Sequence, residues 1–110
     1  MKISDIISQL SLTVFNEGDT SKDIKSGYSS DLLSDVMGNA EATCIWVTLQ
    51  THRNVAAISA LKEIGAVVIV KGLNPDENTL EHAKEEGITL LGTRDESFDI
   101  AGKLYALLKA

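Results

Sequence analysis

From residue 43 onward, apolar and polar positions alternate in blocks. TCIWVTL (43–49) and AVVIV (66–70) are nearly continuous apolar runs rich in Val and Ile, and ITLL (88–91) is a shorter one. Runs of that kind suit strands covered on both faces, as parallel strands are. The segments between them have helical spacing. Residues 53–64 carry Val55, Ile58 and Leu61, with Ala56, Ala57 and Ala60 between, and stop at Gly65. Residues 75–86 carry Leu80 and Ala83 on a charged surface and stop at Gly87. Both glycines stand where a left-handed C-terminal cap is wanted. Asn74, Pro75, Asp76 and Glu77 supply a cap, a first-turn proline and acidic residues for the start of that second helix. A last helix is predicted from Phe98 to Leu108, with Phe98, Ala101, Tyr105 and Leu108 on one face and Leu104 and Leu107 widening it.

The first forty residues are less regular. Ile3, Ile6, Ile7 and Leu10 form one helical face, with Ser4 near the N-cap, and LTVF (12–15) has the composition of a short strand. Residues 16–27, NEGDTSKDIKSG, are polar and turn-rich, with room for a short edge strand around Ile24. Ser29 or Ser30 then caps a helix whose buried positions would be Leu32, Leu33, Val36 and Met37. Strand–helix alternation implies right-handed βαβ crossovers. The expected architecture is an α/β, three-layer domain, a mainly parallel sheet flanked by helices, over residues 1–110 as one unit.

Charge narrows the partners. Ten basic against sixteen acidic residues give −6, and the basic residues are scattered. Phosphate-backbone affinity comes from clustered Lys and Arg, so neither nucleic acid nor an anionic membrane surface is expected. MKISDIISQLS has no unbroken apolar core of a signal peptide, and no run approaches a membrane span. The lone Cys44 fits a reducing, cytoplasmic setting.

In open parallel sheets, ligands gather beyond the carboxyl ends of the strands, where helix N-termini point free N–H groups. Those places are QTHRN (50–54), KGLN (71–74) and GTRDES (92–97). They offer Gln50, Thr51, His52, Arg53, Lys71 and Arg94, a set suited to a small polar or anionic molecule, although Thr51, Asn74 and Ser97 would equally serve as helix caps. His52 has the chemistry of a general base, but no nucleophile stands beside it; a surface role suits a histidine at a helix start. Cys44 lies in an apolar run and reads as buried and inert, and His82 as solvated on a charged helix. Asp31 and Asp35 share a helical face, a spacing that can hold magnesium or divide acid and base roles. Asp31 also suits a helix first turn whatever the function, and a salt bridge to a lysine would account for Asp35. Two histidines and one cysteine make no zinc spacing, and no cofactor or metal is expected. Neither G-x-x-x-x-G-K-[ST] nor G-x-G-x-x-G occurs.

GYSSDLLSDVMGNA (27–40), followed by IWVTLQTHRNVAAISAL and the later PDENTLEHAKEEGI and SFDIAGKLYALL, resembles the DRTGG domain family in the expected order over nearly the whole chain. SDLLSDVM before W-x-T-L-Q-T-H is the most specific part. The signature itself departs from the family pattern: SKDIKSG (21–27) takes its place, with Lys22 at the arginine position and only Gly27 of the glycine pair. The resemblance implies a small α/β regulatory domain, found beside CBS modules in some pyrophosphatases and in some phosphotransacetylases, and similar in fold to the N-terminal domain of HPr kinase/phosphorylase. It implies no catalytic residues. The expectation is a non-catalytic domain that associates with itself as a homodimer and senses a small anionic ligand such as a nucleotide, with Tyr28 and Asp31 joining Gln50, Thr51, His52, Lys71 and Arg94 as candidate ligand contacts. The alternatives are an HPr-kinase-related phosphotransfer component, working through His52 and the acidic pair, and an adaptor for a metabolic enzyme complex.

Overall fold

Continuous apolar runs became strands buried on both faces. The computed structural model describes residues 1–109, with β3 at Ile45–Thr48, β4 at Ala66–Ile69 and β5 at Leu90–Gly92 buried at every position. They pair in parallel with one another, and β2 (Gly27–Ser29) extends the parallel set beside β3. β1 (Thr13–Asn16) closes the far side antiparallel to β5, with an irregular register between Val14 and Asn16. The sheet order is β1-β5-β4-β3-β2.

Alternation along these strands divides the core. Trp46, Val67, Ile69 and Leu90 face α2 (Leu33–Asn39), α3 (Arg53–Lys62) and α4 (Glu77–Glu86), which contribute Val36, Val55, Ala56, Ile58 and Ala83. Ile45, Val47, Val68 and Leu91 face α1 (Ile3–Leu10) and α5 (Ser97–Leu108), which contribute Ile3, Ile6, Ile100 and Leu104. Helices on both faces of a mainly parallel sheet make the three layers the sequence predicts.

Several local expectations are corrected. No strand forms around Ile24; only an isolated Lys2–Asp23 bridge lies there, and Ile24 itself is fully buried in the core under α1. The edge strand comes three residues later, at Gly27. Ser4 does not cap α1. Instead the carbonyls of Lys22 and Thr20 accept from Ile3 N (3.0 Å) and Ser4 N (2.9 Å). The main chain at Thr20 and at Lys22 of the SKDIKSG segment thus closes a helix N-terminus, meeting a need that a side chain would otherwise meet.

Neither Ser29 nor Ser30 caps α2: Ser29 lies in β2, and Ser30 Oγ accepts from Leu32 N (3.2 Å) ahead of the helix. Val36 is buried, but Leu32 is 65% exposed and Met37 is also exposed. α3 ends at Glu63, itself left-handed at φ 56°, two residues before the expected Gly65. α4 starts beyond Pro75 with Asp76 as N-cap, and ends at the left-handed Gly87 as expected. On α5 the inward residues are Ile100 and Leu104, whereas Phe98 is 88% and Tyr105 67% exposed. Leu61 of α3 likewise points outward, 69% exposed. No helix among the described residues is long and apolar enough to cross a membrane.

Candidate functional site

The carboxyl ends of β2, β3, β4 and β5 lie along one edge of the sheet, and β1, running the other way, begins there with Thr13 opposite Gly92. The candidate residues fall into three groups along that edge.

At the β2–β3 end the polar groups are spent on bracing. Asp31 Oδ1 accepts from Thr48 Oγ1 (3.0 Å) and Leu49 N (2.8 Å), and Gln50 Nε2 donates to Asp31 O (2.9 Å). Asp31 precedes α2 and is not in its first turn. Tyr28 donates its hydroxyl to Asp35 Oδ1 (2.8 Å), where Asn39 Nδ2 also donates (3.0 Å). Asp35 therefore has neutral partners where a lysine was expected. The Ser30 and Tyr28 hydroxyls, with Asn39, hold its carboxyl below the ordinary carboxylate value, while Asp35 and partial burial push the Tyr28 phenol up. Asp31 and Asp35 bond to different partners on different segments and form no shared pair.

The middle group is built over the start of α4. Thr51 O accepts from Asp76 N (3.0 Å) and Thr79 Oγ1 (2.8 Å), and His52 Nδ1 lies 3.2 Å from Asp76 Oδ2 with both side chains largely exposed. Arg53 and His82, the latter half-buried, line a shallow polar groove between α3 and α4 with Asn78, Glu81 and Glu85. Cys44, expected to be inert, is buried, and burial raises its thiol to about 11. No group of three or more His, Cys, Asp or Glu among the described residues is placed to hold a metal ion.

The third group surrounds a cavity of about 320 Å³ between the β4 and β5 loops and β1, lined by Thr13, Phe15, Gly72, Leu73, Thr93 and Arg94 among others. Two main-chain bonds lock the loops together: Lys71 N to Asp95 O (2.9 Å) and Gly72 N to Thr93 O (2.8 Å). Lys71 takes a left-handed φ of 63°, and its ammonium lies 3.5 Å from Glu96 Oε2. Arg94 is exposed, and among the described residues no carboxylate pairs with it. The Phe15 ring lies so close to the backbone that a Cβ at Gly92 would collide with it. Thr13 and Phe15 were absent from the sequence-based candidates, because strand order is not written in the local pattern. Their signal was there only as LTVF; its antiparallel place beside β5 brings it to the site.

The sequence matches no family model and no curated protein. Among solved structures the fold is similar to the CBS and DRTGG domains of the regulatory region of Clostridium perfringens pyrophosphatase, a structure complexed with an activator, diadenosine tetraphosphate. The TM-score is 0.70 at 16% identity, over 91% of this chain and 44% of that one. The likeness is one of fold. It upholds the DRTGG-like reading of the sequence at that level, and this chain spans less than half of the chain it resembles.

Proposed function

We propose that the chain is a regulatory domain of the DRTGG type that acts by binding: it takes a small anionic ligand of nucleotide type at the β1–β5–β4 cavity and associates with a second copy of itself. The observation that carries the reading is Arg94, a guanidinium with no carboxylate partner among the described residues, at the mouth of a cavity that offers the Phe15 ring as apolar surface. A guanidinium presents several donors to a phosphate, and an aromatic ring suits a base. The volume is at the lower end of the usual range for small-molecule sites. Similarity in fold to a regulatory region complexed with a nucleotide activator supports the same reading. A domain that binds without reacting needs an output; an associated metabolic enzyme supplies it, in the cytoplasm, where nucleotides and a free thiol both belong.

The test is a thermal-shift and calorimetric titration with AMP, ATP and diadenosine tetraphosphate. A ligand at a hundredfold excess over its dissociation constant stabilises the fold by roughly 2.7 kcal/mol. Binding that Arg94→Gln removes supports the proposal. Absence of a shift with all three nucleotides, or a shift untouched by Arg94→Gln, refutes it.

A further inference from the structure

Among the described residues, nothing pairs with the outer edge of β2. Ile45 N donates to Ser26 O (3.0 Å) and Ser30 N to Val47 O (3.2 Å), so residues 26, 28 and 30 direct their main-chain groups at β3. Main-chain directions alternate along a strand, so the N–H and C=O of Gly27 and Ser29 point away from the sheet. Both residues are exposed, and β2 is the terminal strand. Natural edges are guarded by charge, proline or a bulge. β1 has its irregular register; the stretch Ser26–Ser30 has no charge, no proline and an unbroken register with β3. Under this edge lies a cavity of about 250 Å³, lined by Gly27, Ser29 and Val47 on one side and by Leu104, Tyr105 and Leu108 on the other. It stays open because Gly27 and Ser29 have almost no side chain to fill it.

We propose that β2 pairs antiparallel with β2 of a second copy of this chain, joining two five-stranded sheets into one continuous sheet about a two-fold axis at Tyr28. The inference rests on the self-association proposed above and gives it an address. In this register Gly27 and Ser29 of the second copy exchange both main-chain bonds, and symmetry repeats the exchange. Tyr28 then opposes Tyr28 as the close, non-hydrogen-bonded pair. Charge selects the register. With Gly27 opposite Ser29, Lys25 falls opposite Asp31 of the second copy, twice by symmetry; slipping by two residues in either direction sets Lys25 or Asp31 opposite an uncharged residue. Lys25 and Asp31 are both exposed, and among the described residues the Asp31 carboxylate uses only Oδ1. A two-fold axis normal to the sheet keeps like faces together, so α5 lies beside α5 of the second copy and its exposed Tyr105 covers the open cavity.

The test combines light scattering over a dilution series with amide hydrogen exchange read by NMR. The expected result is a dimer in which Gly27 and Ser29 amides exchange slowly at high concentration and quickly on dilution. Ser29→Pro removes an N–H that no bond among the described residues uses, so it leaves the fold intact and raises the dimer dissociation constant about tenfold or more, two symmetry-related bonds being lost. Lys25→Glu also weakens the dimer, by an amount that shrinks with added salt. Leu61→Glu, on the exposed apolar side of α3, leaves the dimer unchanged. A dimer that survives both β2 variants, or that Leu61→Glu dissolves, overturns this seam while self-association stands; a monomer at every concentration overturns both. Should Ser29→Pro fail to fold, Lys25→Glu and the exchange of Gly27 and Ser29 in the unaltered dimer decide, fast exchange there counting against the proposal. Nucleotide binding is read separately and is untouched by any of these outcomes.

Discussion

The Tyr28 hydroxyl donates to Asp35 Oδ1 at 2.8 Å, tying the edge strand to the helix that follows it. Each partner shifts the other. The Ser30 and Tyr28 hydroxyls and Asn39 depress the Asp35 carboxyl below 3.8, and the Asp35 bond and charge raise the Tyr28 phenol above 10.0. A depressed carboxyl stabilises the fold above its unfolded value, and that contribution is lost as pH falls through the folded one. A raised phenol stabilises below its unfolded value and is lost as pH rises through the folded one. Both contributions are therefore present across the neutral range. In a Tyr105→Phe background, ultraviolet absorbance titration should find Tyr28 ionising above 10.0, and Asp35→Asn should lower that midpoint. Denaturant unfolding against pH should show Tyr28→Phe flattening the alkaline limb and part of the acid limb. A Tyr28 midpoint unmoved by Asp35→Asn would remove the electrostatic link.

The helix faces give a sharper test of packing. Ile100 is buried under the sheet while Phe98 is 88% exposed. Ile100→Ala should cost about 2–5 kcal/mol, the range for emptying a core site of that size. Phe98→Ala should change stability by no more than about 0.5 kcal/mol. Equal losses in urea denaturation would mean that α5 is rotated from the orientation described.

That contrast marks how far the sequence could be read. Strands β3, β4 and β5 were legible because burial on both faces forces a continuous apolar run, as in residues 66–70. Helix α5 was legible as a helix, but its face was not: Phe98, Ile100, Ala101, Leu104, Tyr105 and Leu108 wrap around much of it, and the sheet selects among them. Asp31 read as a helix residue because a carboxylate near a helix start is common; its use as a brace to Thr48 and Leu49 depends on β2 lying beside β3. Arg94 was a candidate under the rule that ligands gather at strand ends. The Phe15 surface beside it was not, since it arrives from an antiparallel strand far away in sequence.

Ser59 sits fully buried in α3, and among the described residues its hydroxyl has no hydrogen-bond partner. A buried donor left unmade costs free energy, and alanine is the better helix former. Ser59→Ala should therefore raise stability by about 1–2 kcal/mol, seen as a higher urea midpoint at unchanged slope. A loss of stability would reveal a partner for the hydroxyl.

Cys44 combines 1% exposure with a thiol raised to about 11 by burial. The thiolate is the reactive form, and at pH 8 only roughly one molecule in a thousand would carry it. A disulfide reagent should modify the folded chain no faster than the chain opens, with the rate rising in step with unfolding as denaturant is added. Immediate stoichiometric labelling of folded protein would contradict the buried placement.

The bracing groups and the proposed binding groups at the sheet edge are separable by mutation. Asp31→Ala strips acceptors from Thr48 Oγ1, inside the core, and from Leu49 N. It should cost about 1–3 kcal/mol, whereas Asp31→Asn retains an oxygen at the same place and should cost much less. Arg94→Gln should leave stability within about 0.5 kcal/mol of the parent, because the side chain is exposed and has no carboxylate partner among the described residues. The nucleotide-induced rise in melting temperature should show the reverse order, kept by both Asp31 variants and lost in Arg94→Gln. Measurement at concentrations low enough to keep the chain monomeric removes any effect of Asp31 on pairing between copies. If the Asp31 variants lose the nucleotide shift while Arg94→Gln keeps it, the ligand sits at the β2–β3 end, and the cavity beside Phe15 has another use.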